Sequence, residues 1–121
     1  MESFGTTDVY LSLTKNYDGA ELKQHLQEII ASAKVEVTPG STVLLKPNFV
    51  TFANSQMSCT NPFFIKAVCE IFLDLNARVS IGDSPAFGST KRISGGIGLS
   101  DMLKGLPVDI VNFTKGPRIQ L

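Results

Sequence analysis

Two short runs in this 121-residue chain gather the residue types that bind small anions. The first is Lys46-Pro47-Asn48, followed by a polar stretch through Asn54, Ser55, Ser58, Cys59 and Thr60 that ends at Asn61-Pro62. The second is Gly82-Asp83-Ser84-Pro85, followed by Gly88-Ser89-Thr90-Lys91-Arg92. The ammonium of Lys46, the amide of Asn48 and the hydroxyls of Thr60 and Ser84 are donors that a phosphate or carboxylate can use. Asn61 opens a predicted helix, whose first backbone N–H groups and partial positive charge suit the same ligand. Asp83 directly follows a predicted buried strand, the usual place for a general acid/base or a metal ligand. Each residue also has a plainer reading. Asn61 caps its helix, Lys46 is a solvated strand-end cation, and Asp-Ser before proline begins a turn by bonding its own backbone.

Other motifs fail on register. Gly96-x-Gly98 lacks the third glycine of a dinucleotide fingerprint, because position 101 is Asp. Gly88-Ser89-Thr90-Lys91 has the residues of a phosphate loop in the wrong order. Cys59 and Cys69 form no Cys-x-x-Cys pair, so the chain carries no iron–sulfur or zinc motif and assigns no cofactor. Cys69 reads as a small core residue, while Cys59, beside a helix start, is either a reactive thiol or an inert one. His25 lies at the boundary of a helical apolar stripe and is not read as a ligand. Asn112-Phe113-Thr114 matches a glycosylation sequon by chance, since no secretory signal precedes it.

The elements that must position these residues follow from periodicity. Val9–Leu13 alternates and predicts a first strand. Leu22, Leu26, Ile29, Ile30 and Ala33 predict an amphipathic helix over Asp18–Lys34, with Asp18 and Glu21 as a capping box. Thr42–Leu45 is a short apolar strand ended by Pro47. Asn61-Pro62 starts the strongest helix, reaching Leu75; only Lys66, Glu70 and Asp74 form its polar stripe. Phe63 and Leu73 project beside that stripe, so this helix wants cover on more than one face. Ala77–Ile81 and Val108–Val111 predict two further strands, with a glycine-weakened helix over Ser94–Leu103 between them. The order β-α-β-α-β-α-β makes an α/β layered domain with a mostly parallel sheet flanked by helices. In such sheets ligands bind beyond the carboxyl ends of the strands, where both loops lie.

Val43-Leu44-Leu45-Lys46-Pro47-Asn48, Cys59-Thr60-Asn61-Pro62 and Val79-Ser80-Ile81-Gly82-Asp83-Ser84-Pro85 together resemble the domain of unknown function 362 family. That resemblance implies an α/β domain with a largely parallel sheet. Family members are often fused to ferredoxin-like modules with iron–sulfur clusters, which suggests a redox link; this chain has no such cysteine cluster, so the cluster itself is not carried over. The family domain is longer and continues with a further strand, a Lys-x-His segment and a Lys-Asn segment. The expectation is therefore that residues 1–121 are a single α/β domain that is the N-terminal part of a longer one, either a truncated chain or a natural fragment. Its missing half or a partner would cover Phe63 and Leu73.

Composition narrows the rest. Eleven basic and 11 acidic residues cancel, which leaves no electrostatic footprint for nucleic acid or an anionic membrane. The apolar runs are too short to cross a bilayer. These features predict a cytoplasmic protein without nucleic-acid or membrane partners. The functional expectation is a ligand-binding, redox-linked enzyme domain: Lys46, Asn48, Thr60, Asn61 and Ser84 hold a small anionic ligand, and Asp83 is the acid/base. The alternative is a non-catalytic interaction or scaffold module whose strand-end loops are structural turns.

Overall fold

The computed structural model describes residues 7–120. Its elements run α1 (Gly19–Ser32), β1 (Thr42–Leu45), α2 (Ser55–Ser58), α3 (Pro62–Asp74), β2 (Arg78–Asp83), α4 (Thr90–Gly96), α5 (Leu99–Met102) and β3 (Val108–Asn112). A 3-10 turn over Phe113–Lys115 follows. The sheet is parallel, with β2 between β1 and β3, so strand order follows chain order.

Register fixes what each face of the sheet carries. Val43, Val79 and Val108 lie side by side, as do Leu45, Ile81 and Ile110. Side chains alternate along a strand, so these six share one face. They pack against Ile65, Cys69 and Phe72 of α3, Ile93 of α4 and Leu99 of α5, which form the core. The opposite face carries Leu44, Ser80, Gly82 and Val111, and Leu44 is 54% exposed there. The Phe113 ring lies over Gly82. A Cβ at position 82 would fall 2.8 Å from Phe113 Cζ and 2.9 Å from Val111 Cγ2, so the ring needs a glycine beneath it.

The apolar character of α3 has its cause in two neighbours. One side of the helix meets the sheet and α5, and α1 packs along it as well. Lys23 of α1 reaches the polar stripe of α3, 2.8 Å from Asp74 and 3.7 Å from Glu70. The side-chain hydrogen bond to Asp74 raises the Lys23 pKa above its ordinary value. Leu73 is half-buried against the core, which corrects the expectation that it stands bare; Phe63 remains 51% exposed. Asn61 caps α3 by accepting from the Phe63 N–H at 2.9 Å, with Pro62 in the first turn, as its sequence predicts.

Several elements depart from expectation. Val9–Leu13 forms no strand; it joins no ladder, and Val9, Leu11 and Leu13 are exposed. Alternation marks a segment that can pair, but a strand also needs a free partner edge in register. Asp18 precedes α1 without a side-chain cap bond, so the predicted capping box does not form. Instead, the Asn16 side chain accepts from the Asp18 N–H at 2.8 Å. The weak helix over Ser94–Leu103 is two short helices divided at Gly98, whose φ of +83° only glycine adopts without strain. β2 runs on through Asp83, so that carboxylate is the last strand residue and not the first loop residue.

Cys69 is fully buried on α3, and desolvation pushes its thiol pKa up to about 12 from 9.0. A raised folded-state value means that stability is complete below the unfolded pKa and falls as the unfolded thiol ionises first. Stability measured by denaturant titration should therefore decline between pH 9 and about 12. Cys69→Ala should flatten that decline relative to wild type, leaving only the part that Lys23 and other basic groups contribute.

Candidate functional site

The two loops singled out by sequence meet at the carboxyl ends of β1 and β2, and Asp83 is where they join. Its side chain is 5% exposed. Asp83 Oδ2 accepts from the Phe49 N–H at 2.8 Å, and Oδ1 accepts from the Ser84 N–H at 2.7 Å. Lys46 Nζ lies 3.2 Å from Oδ1, on a side chain that stays 60% exposed. The carboxylate thus ties the loop after β1 to the end of β2 and holds the Lys46 ammonium. From the other side, buried Thr90 donates its hydroxyl to the Asp83 carbonyl at 2.8 Å and fixes the start of α4.

A second knot joins Lys46-Pro47-Asn48 to the approach to α3. The Asn48 N–H donates to Thr60 Oγ1 at 2.9 Å, and the Thr60 N–H donates to the Asn48 carbonyl at 2.9 Å. Asn48 Nδ2 donates to the Ser58 carbonyl at 3.0 Å. An isolated antiparallel bridge between Phe49 and Cys59 continues this pairing. Proline ends β1 because it has no N–H for a ladder, and the chain then folds back on itself through these bonds.

Spent and unspent donors can now be separated. Thr60 uses its oxygen to accept from Asn48, which leaves its O–H proton available. Lys46 has three N–H bonds, with Asp83 and the Pro47 carbonyl at 3.5 Å as its partners, and its exposed side retains a donor. Lys46 and Thr60 line the same cleft of about 290 Å³, floored by Leu45, Phe64, Ile65 and Val68. Thr60 also borders a larger cleft of about 510 Å³ with Asn61, Cys59, Tyr17 and Gln56. The structure therefore brings Lys46, Thr60 and Asp83 together and puts Asn61 on the far side of Thr60. Ser84 is exposed beyond Asp83.

The remaining sequence candidates fall outside this site. His25 is half-buried; its Nδ1 meets Ser12 Oγ, and its Nε2 is 3.7 Å from Glu21. Cys59 is half-buried, its Sγ 3.5 Å from the Thr51 carbonyl. Asn112 accepts from Thr114 N–H and Oγ1, capping the 3-10 turn. Among the described residues, no group of three His, Cys, Asp or Glu side chains could hold a metal ion. Sequence reasoning missed Thr90 and the backbone of Phe49 as anchors, because neither carries a motif. It also passed over Phe52 and Phe87, two aromatics in otherwise polar loops.

Against known proteins, residues 43–121 match the family model described as domain of unknown function (DUF362). That span includes all three blocks, β2, β3 and all of β1 but Thr42. The chain belongs to this family. A thylakoid-associated protein of Synechocystis sp. is 37% identical over 81 residues, covering 66% of this chain and 25% of that relative. The matched part is thus about a quarter of the relative's length. No solved structure matches. No helix among the described residues is long and apolar enough to cross a membrane.

Removing the Asp83 carboxylate would strand the buried Phe49 N–H, free the Ser84 N–H and release Lys46. Asp83→Ala should cost about 3 kcal/mol of unfolding free energy, the range for breaking a buried hydrogen-bonded charge. Denaturant melts check this, and a loss below about 1 kcal/mol would show that the loops hold together without Asp83.

Proposed function

We propose that this chain supplies an anion-binding face to an enzyme domain of the DUF362 family, with its site at the carboxyl ends of β1 and β2. One observation carries the reading: Lys46 and Thr60 line one cleft, and each keeps a donor unspent after its structural bonds. Lys46 and Thr60 hold the anionic group, Asn48 braces Thr60, and Asn61 and Ser84 lie outside this cleft. Asp83 orients Lys46 and is the candidate acid/base of the assembled site. The rest of the enzyme face comes from a complementary half or partner, which also covers exposed Phe63. The redox link rests on the family resemblance alone.

A second reading has its own support. Asp83, Asn48 and Thr60 each already bond backbone groups, as the members of purely structural turns do. On that reading the chain is a scaffold or interaction module.

Thermal melts in about 10 mM inorganic phosphate separate the two, because a ligand bound only to the native state raises Tm. The enzyme-face reading expects a rise that Lys46→Ala abolishes, judged against the variant's own phosphate-free Tm, which falls because the buried Asp83 carboxylate loses its cation. No rise, or a rise that persists in Lys46→Ala, supports the scaffold.

We also infer a cytoplasmic location. The name of the Synechocystis relative raises peripheral membrane attachment as the alternative. Cell fractionation should leave the protein in the supernatant at moderate salt; recovery with membranes would reverse this reading.

A further inference from the structure

We propose that a second cleft, between the loops that follow β1 and β2, binds a mononucleotide: a planar heterocycle carrying one phosphate. Phe52 and Phe87 stand 54% and 70% exposed on opposite loops, and both border this cleft of about 290 Å³. Two large exposed rings in polar loops lose apolar contact with nothing gained, unless something planar lies against them.

The Phe87 backbone and the Phe52 ring are held in place. The Phe87 N–H donates to the Val50 carbonyl at 3.2 Å, which clamps the loops together. The Phe52 ring lies against Gly96 of α4, where a Cβ would fall 2.6 Å from Cδ2 and Cε2. A glycine at that point lets the ring sit directly on the helix backbone. Ile93, which is 1% exposed, forms the apolar floor.

Charge decides what the ring must carry. Arg92 lines the same cleft, is exposed, and joins no ion pair among the described residues. Its Cδ lies 3.9 Å from where a Cβ of Gly88 would be, so its stem runs beside the Phe87-Gly88 turn. None of the described lining residues is acidic. A guanidinium with no carboxylate partner beside two aromatic faces is matched by a phosphate attached to a stacked base or flavin ring. The cleft is of a size that suits one ring system with its phosphate. It lies at strand carboxyl ends, as ligands of parallel sheets do.

This site is independent of Lys46. The full 121-residue chain is titrated calorimetrically with AMP and with FMN, and separately with adenosine, riboflavin and inorganic phosphate. At least one of AMP and FMN should bind at about 1 mM or tighter, and about tenfold tighter than its phosphate-free counterpart or phosphate alone. Phe87→Ala and Arg92→Ala should each weaken binding about tenfold while leaving Tm near wild type, because both side chains are exposed. Lys46→Ala should leave nucleotide binding unchanged. The proposal is overturned if neither nucleotide binds, or if the Phe87 and Arg92 variants bind as wild type does. Sedimentation with phosphatidylglycerol vesicles in the absence of nucleotide binding would also overturn it and assign the rings to a lipid surface.

Discussion

The Asp83 carboxylate holds together the end of this fold where the strands finish. Parallel strands end in loops that have no ladder to continue, and each such loop must find partners for its own backbone groups. Here one buried side chain supplies them to two loops at once, through Phe49 N–H and Ser84 N–H. A buried carboxylate is costly unless its oxygens are paired, and Lys46 completes the pairing from the solvent side. The same arrangement explains why Lys46 can be both exposed and fixed in position. The Thr60–Asn48 bonds lock the other side of that loop, so the cleft beside Lys46 is bordered by bonded backbone.

What the sequence made legible is largely local. Asn61-Pro62 marks its helix start because capping chemistry acts within two residues, and the Asn61–Phe63 bond is of that kind. Lys46-Pro47 marks a strand end because proline cannot pair onward. The three strands that formed are short β-branched or apolar runs bounded by turn residues. The misreadings involve distance along the chain. Val9–Leu13 has the alternation of a strand, but pairing depends on a partner elsewhere in the chain, and the segment pairs with neither outer edge of the sheet, that of β1 or that of β3. Asp83 was legible as a special carboxylate, but its main partner is 34 residues away and is a backbone group, which leaves no mark in residue type. Thr90 anchors a strand end from the first residue of α4, in a Gly/Ser-rich stretch where its burial could not be read from its neighbours.

The strongly apolar α3 shows how one pattern can have two physical causes. A helix without a wide polar face implies cover on several sides. Part of that cover is α1, whose Lys23 meets the narrow polar stripe with opposite charge. Exposed ion pairs of this sort add little stability, about 0–1 kcal/mol, and serve chiefly to set which way α1 lies. Leu73 is thereby accounted for, whereas Phe63 and the outer face of the sheet around Leu44 are not. Parallel sheets are ordinarily covered on both faces, so this outer surface is the fold's principal departure from its class.

Strand order that follows chain order also bears on how the molecule comes into being. Each strand is laid beside the one synthesised just before it, across a connection that carries its own helices. No strand waits for a later one to be inserted between its neighbours, so the contacts that build the sheet stay close along the chain. The Asp83 closure needs only β1, its loop and β2, all of which leave the ribosome before β3 does. The end of the molecule that carries the candidate sites can therefore close without waiting for the last strand to pair.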